Sequence, residues 1–282
     1  MRVSALNYYP LKSGRGIALG EADIGPTGIP GDRRMMIIDP DGMFITQREL
    51  PALARLAATP QDASVRITMD GDAAIDVLQP DPQRRLDIVV WKSSVSAALA
   101  DDTTNARLSQ WLGREVRLVF FDAQAHRVAS PEWAGEGMPV TFADGFQVLI
   151  TTTASLAALN VDMLAHGEGE VGMERFRPNI VLDTDTAWAE DGWATIEIAG
   201  VTFDLVKPCA RCIMITQDQT TGSREVASPM PAMGRIRMSA DRRVPGPLFG
   251  WNAVPRNTGS IRIGDEATVT ARRDAWAIKR RA

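Results

Sequence analysis

Val201-Thr202-Phe203-Asp204-Leu205-Val206-Lys207-Pro208-Cys209-Ala210-Arg211-Cys212 is a strand-like run that delivers both cysteines of the chain into one short segment. A chain of 282 residues with its whole cysteine content in one tetrapeptide is using sulfur for chemistry. A thioredoxin-like pair opens a helix in an α/β pattern. This pair lies between 201–206 and 213–216, two β-branched runs, so its setting is β. A zinc knuckle needs two further ligands at similar spacing; the only histidines, His126 and His166, are far apart. A zinc site and a redox dithiol stay open as lesser readings beside two others: a pair of structural thiols, or one thiolate ligand to a soft or high-valent metal held mainly by a cofactor. Arg211, between the thiols, favours thiolate and can also grip a phosphate.

Outward from this segment the chain continues as short strands. In the first half the candidates are 2–9, 16–24, 33–39, 64–70, 73–78 and 86–91, with Asp41-Gly42 and Asp70-Gly71 as hairpin dipeptides. A helix is expected over 102–112, capped by Asp101 or Asp102, with Leu108, Trp111 and Leu112 on its apolar stripe. The Pro- and Gly-rich stretch 129–141 connects two halves. Strand 146–150 follows, and Thr151-Thr152-Thr153 caps a helix through Leu156, Leu159 and Met163. Further strands are expected at 179–183, 194–198, 201–206, 213–216, 260–263 and 267–271. The segment 229–243, with Met230, Met233 and Met238, reads as a loop that shapes a pocket or packs on the core. Strands of this number and spacing suit barrels rather than βαβ units. The fold expected is α+β and β-rich, an N-terminal β-barrel domain (1–122) packed on a second β-barrel domain (123–282) with a few peripheral helices.

Composition narrows the function. Hydrophobic residues make up 45% of the chain, enough for a proper core. The net charge of -4 argues against a nucleic-acid partner. The first ten residues lack the apolar run of a signal peptide, and no stretch reaches the roughly 18 apolar residues of a spanning helix. A cytoplasmic protein with no membrane partner is the expectation. Within this acidic chain, cations recur at strand ends and turns: Lys12 beside Ser13, Arg33 and Arg34, Arg175 and Arg177, and Arg211. Each alone reads as a solvated surface charge; together they suggest an anion pocket.

The ordered pieces carry a resemblance. They are Tyr9-Pro10-Leu11-Lys12-Ser13, Gly31-Asp32-Arg33, Phe142-Ala143-Asp144-Gly145, Arg175-Phe176-Arg177-Pro178-Asn179-Ile180, Cys209-Ala210-Arg211-Cys212 and Pro247-Leu248-Phe249-Gly250. The chain resembles the MOSC-domain proteins with a MOSC N-terminal β-barrel domain, the family of the animal mitochondrial amidoxime-reducing components and of bacterial reductases of N-hydroxylated bases. The resemblance implies a molybdenum–molybdopterin cofactor with Cys212 as the metal's protein ligand and Cys209 as a supporting thiol. It places Lys12, Ser13, Arg33, Arg177, Asn179 and Arg211 at cofactor-binding positions and Asp144, a catalytic candidate for proton delivery, near the metal. Gly145 and Phe146 follow the bacterial pattern, which leaves substrate contacts there open. The implied activity is reduction of small N-hydroxylated substrates (hydroxylamines, amidoximes, N-hydroxylated bases) by oxygen removal. Pyridoxal phosphate is not expected, and no spare cysteines remain for an iron–sulfur cluster. Electrons are therefore expected from a separate donor protein of ferredoxin, flavodoxin or cytochrome-reductase type. The competing readings are a non-enzymatic carrier of the cofactor or of sulfur, and a metal-free sulfur transferase.

Overall fold

Strand Val201–Ala210 buries Val201, Phe203 and Leu205 while the residues between them are only half-buried, the period-2 signature of a sheet with one face on a core. The structure, a computed structural model, describes residues 1–70 and 73–279. Val201–Ala210 lies inside an eight-stranded sheet ordered Ala267–Arg272, Trp193–Ile198, Val201–Ala210, Leu248–Pro255, Val148–Thr152, Ile180–Asp183, Arg2–Tyr8, Ile17–Leu19. The first two strands of the chain thus join a sheet built otherwise from the second half. The sheet curls until its ends nearly meet, with a bridge between Arg2 and Glu266 and a hydrogen bond from the Ala267 amide to the Met1 carbonyl. Val3, Leu6, Ile150, Ile196, Phe203 and Trp251 fill its interior. Its parallel pair, Val148–Thr152 beside Ile180–Asp183, is joined by helix Thr153–Ala165, the crossover such pairing demands.

The first half adds a four-stranded sheet (Met35–Ile38, Arg117–Phe120, Ser93–Leu99, Arg85–Val90) and a three-stranded one (Ala57–Pro60, Ser64–Thr68, Ile75–Leu78). All four residues of Met35–Ile38 are buried because both faces are covered. Met35 and Ile37 meet one apolar cluster, and Met36 and Ile38 meet another that includes Phe142. The α+β, β-rich expectation is met. Among the described residues no helix is long and apolar enough to cross a membrane.

Both expected helices form. Asp101 accepts from the Thr104 amide at 2.8 Å to cap Asp102–Leu112, which stops at Gly113 with φ 62°. Thr152 caps Thr153–Ala165. Other expectations need correction. Ile213–Thr216 is a 3-10 turn rather than a strand, because the Cys212 carbonyl accepts from the Ile215 amide and closes the chain on itself. The run 16–24 breaks at Gly20 into Ile17–Leu19 and Glu21–Ile24, and the second piece pairs with Gly259–Arg262. Part of the expected loop 229–243 is helix Met230–Ile236, with proline in its first turn. Met233 is fully buried there against Leu159, Phe176 and Phe249. Asp41-Gly42 does reverse the chain, with Gly42 at φ 83°. Strands Ser64–Thr68 and Ile75–Leu78 pair around Asp70-Gly71, although Gly71 itself lies outside the described residues.

Candidate functional site

Strand Val201–Ala210 ends against a bulge. Its partner Leu248–Pro255 carries an extra residue between Leu248 and Trp251, with Gly250 at φ 75°. A bulge of this kind bends a strand and re-aims its end. Here the end holds Cys209, and Cys212 follows as the residue capping the turn Ile213–Thr216. Both thiols are free and half-buried. They wall a cleft of about 920 Å³, counting its mouth.

All eight sequence-derived candidates line this one cleft: Lys12, Ser13, Arg33, Asp144, Arg177, Asn179, Arg211 and Cys212. Arg175 and Arg48 also line it, making six cationic side chains against Asp144 as the sole lining carboxylate. Met230, Met233 and Met238 do not line it; Met214 does.

The backbone around these residues is bent to hold them. Ser13, Arg33 and Arg177 adopt φ of 65°, 47° and 53°, the left-handed region that non-glycine residues rarely occupy. Such strain persists where the surrounding structure over-determines it. Arg33 is fixed by hydrogen bonds from its amide to the Tyr9 carbonyl and from the Phe142 amide to its own carbonyl. Its guanidinium pairs with Asp32 and donates to Asn179 Oδ1 at 3.2 Å. Arg33 and Arg177 both stack on Tyr9, at 4.1 and 4.2 Å from the ring centroid. Burial, with Arg33 alongside, pushes the Arg177 guanidinium down to about 10.

Asn179 is a joint rather than a free donor. Its Oδ1 also accepts from the Leu149 amide at 3.1 Å, and its Nδ2 donates to the Asn7 carbonyl at 3.2 Å. The side chain therefore ties three strands together and aims Arg33. Lys12 is 5% exposed; its ammonium donates to the Phe142 carbonyl at 2.9 Å and pairs with Asp144. Burial pushes Lys12 below its ordinary value and Asp144 pulls it back up. Crowding by the protein raises the Asp144 carboxyl, but the Lys12 ammonium, helped by Arg48 and Arg33, outweighs this and holds it well below the usual carboxylate range. At neutral pH the Asp144 carboxyl is therefore ionised, and Lys12 Nζ is the donor of the pair.

Two arginines, Arg48 and Arg127, escaped the sequence reading. Arg48 donates from Nε to Cys212 Sγ at 3.4 Å, and Arg211 donates to Cys209 Sγ at 3.0 Å. Each thiol thus has its own guanidinium. Arg127, 9% exposed, donates to the Thr141 carbonyl at 2.8 Å and to the Ala143 and Asp144 carbonyls, so it shapes the loop that presents Asp144. Neither Arg48 nor Arg127 sits in a motif; their roles come from long-range packing.

Six cations facing one carboxylate repel one another, and the arrangement suits an anion with several acceptor oxygens. Among the described residues no group of three or more His, Cys, Asp or Glu could hold a metal. A metal at Cys212 must bring its other donors with it, and soft sulfur donors beside a thiolate are a consistent set. The residues present fit a phosphate-bearing, sulfur-donating cofactor.

Two family descriptions match the chain: MOSC N-terminal beta barrel domain over residues 1–115 and MOSC domain over residues 137–268. Among curated proteins, mitochondrial amidoxime-reducing component 1 of Homo sapiens is 28% identical, the match covering 93% of this chain and 81% of that protein. Mitochondrial amidoxime reducing component 2 of Bos taurus is also 28% identical, over 93% and 81%. Component 1 of Danio rerio is 26% identical, over 93% and 83%.

Proposed function

We propose that this chain, which belongs to the MOSC-domain proteins with a MOSC N-terminal beta barrel domain, is an oxidoreductase that uses a molybdenum–molybdopterin cofactor to reduce N-hydroxylated compounds. The observation that carries this reading is a single cleft combining six cationic side chains with a free thiol, Cys212, at its wall. The names of the relatives, amidoxime-reducing components, support the reaction class.

When bound, the cofactor supplies the two-electron chemistry that removes oxygen from an N–OH group. The balance is two electrons and two protons in, with N–H and water out. A separate protein, of ferredoxin, flavodoxin or cytochrome type, supplies the electrons. Cys212 would provide the protein's one sulfur to the metal, and Arg48 Nε donates a hydrogen bond to that sulfur. Lys12, Arg33, Arg177 and Arg211 hold the cofactor's anionic end, with Ser13 contributing polar contact at the same wall. Asn179 fixes Arg33 through its 3.2 Å hydrogen bond. Asp144 anchors Lys12, and Lys12 Nζ is the group in the cleft that holds a proton for the N–OH oxygen.

The test is to purify the chain from a host that makes the cofactor, measure molybdenum, and assay benzamidoxime with reduced viologen. Stoichiometric molybdenum and turnover are expected, and Cys212→Ser should lose both. Trace molybdenum would sink the reading; retained turnover in the Cys212 variant would move the ligand to Cys209. Bound molybdenum without turnover would make the chain a cofactor carrier.

A further inference from the structure

Just outside the cleft lies another non-glycine residue in the left-handed region. Strands Arg85–Val90 and Ser93–Leu99 pair up to Val90 opposite Ser93, so Trp91-Lys92 is a two-residue hairpin turn. Trp91 takes φ 56° at its first position, where a tight hairpin ordinarily places glycine, asparagine or aspartate. A bulky residue in that region is a genuine outlier. The indole is also 39% exposed, so burial does not explain its presence.

Its neighbours point to a use. The Arg48 guanidinium lies 4.7 Å from the Trp91 ring centroid and, through Nε, reaches Cys212 Sγ. One guanidinium therefore separates the indole from the thiol. Phe44 leans on Trp91 with ring centroids 5.0 Å apart, and Lys12 Nζ lies 5.9 Å from the Phe44 ring. Met43, 44% exposed, pairs through its backbone with Val89 beside the hairpin. Trp91 and Phe44 thus form an aromatic shelf beside the cleft wall that carries Arg48, Lys12 and Cys212.

We propose that Trp91 is a stacking platform that orients the flat aromatic or heteroaromatic ring of an N-hydroxylated substrate, so the chain prefers aryl and purine-like substrates to aliphatic ones. This rests on the reading of the cleft as an N-reductive centre. An aromatic face tolerates many ring systems because each has a π-surface, and the N–OH group then reaches past Arg48 toward the thiol.

The experiment compares benzamidoxime with acetamidoxime, which share a head group and differ in the ring. Trp91→Ala should raise KM for benzamidoxime about 10-fold with little change in kcat, leave acetamidoxime within about twofold, and keep molybdenum content, while Trp91→Phe restores most of the loss. Calorimetric titration without an electron donor should show the same ring-dependent loss of affinity, so the result does not depend on turnover. Equal losses for both substrates, or none for benzamidoxime, overturn the proposal. Absence of molybdenum with ring-selective binding intact would count against the cleft's redox role and not against the platform.

Discussion

Lys12 and Asp144 decide how the cleft handles protons. Because Asp144 is held below the ordinary carboxylate range, it stays ionised at every pH above that range. The stability it contributes is fully present there and is lost only as pH falls through its depressed value. Asp144 thus does not titrate between pH 5 and 8, and any acidic limb of kcat/KM in that window should survive in Asp144→Asn. Disappearance of that limb in the variant would count against the assignment. The stability cost of the same change should be about 1 kcal/mol, since Asp144 is largely exposed and water screens the pair. Asn179→Ala should cost more, about 2–3 kcal/mol in urea unfolding, because it strands the Leu149 amide, the Asn7 carbonyl and one Arg33 donor in a buried joint. At this scale the sequence was most informative. Cations flanking strand ends and a concentrated thiol pair are local signals, and all eight candidates meet in one cleft. Arg48 and Arg127 were illegible because only the folded chain brings Arg48 to Cys212, 164 residues away, and Arg127 to the loop at Asp144.

Among the elements, strand Leu248–Pro255 matters most to the site and is absent from the sequence reading. It is buried almost throughout, so it lacks the alternation that marks a half-exposed strand, and Gly250 interrupts it. Gly250 makes the bulge that bends the cysteine-bearing end of Val201–Ala210. A Cβ at this position would lie 2.7 Å from the Ile150 carbonyl oxygen, with φ at 75°. Gly250→Ala should therefore destabilise the chain by about 2–4 kcal/mol. A fall in apparent Tm with loss of molybdenum loading is the expected observation; an unchanged Tm would mean that the strand tolerates an ordinary backbone there. Helices were easier to read. Asp101 and Gly113 bracket Asp102–Leu112 with side-chain and backbone signals that operate within one turn. The β-branched run Ile213–Thr216 misled for the opposite reason: its propensity favours a strand, but the carbonyl of Cys212 captures the Ile215 amide first.

At the scale of the molecule, what sequence could not supply is the pairing of Arg2–Tyr8 with Ile180–Asp183, which threads the start of the chain into the second half's sheet. That register joins residues about 180 positions apart and has no local signature. Its consequence is electrostatic. The strand carries the chain to Lys12 and Ser13, which line the same cleft as Arg177 and Arg211, so folding itself brings the cations together. Their mutual repulsion opposes the folded state until an anion occupies the cleft. Cofactor-free protein, from a host unable to make the cofactor, should accordingly be stabilised by inorganic phosphate beyond what chloride does at equal ionic strength. Phosphate at ten times its Kd would add about 1.4 kcal/mol, or roughly 3 °C in apparent Tm for a chain of this size. The Arg33→Met and Arg177→Met double variant should lose that increment, read as its own Tm difference between phosphate and chloride, while its Tm in both salts falls because buried Asp32 loses its partner and Tyr9 its stacked cations. Equal Tm values in phosphate and chloride for the parent chain would show that the cations are neutralised without a ligand, and the cleft would then have no electrostatic claim on a phosphate-bearing cofactor.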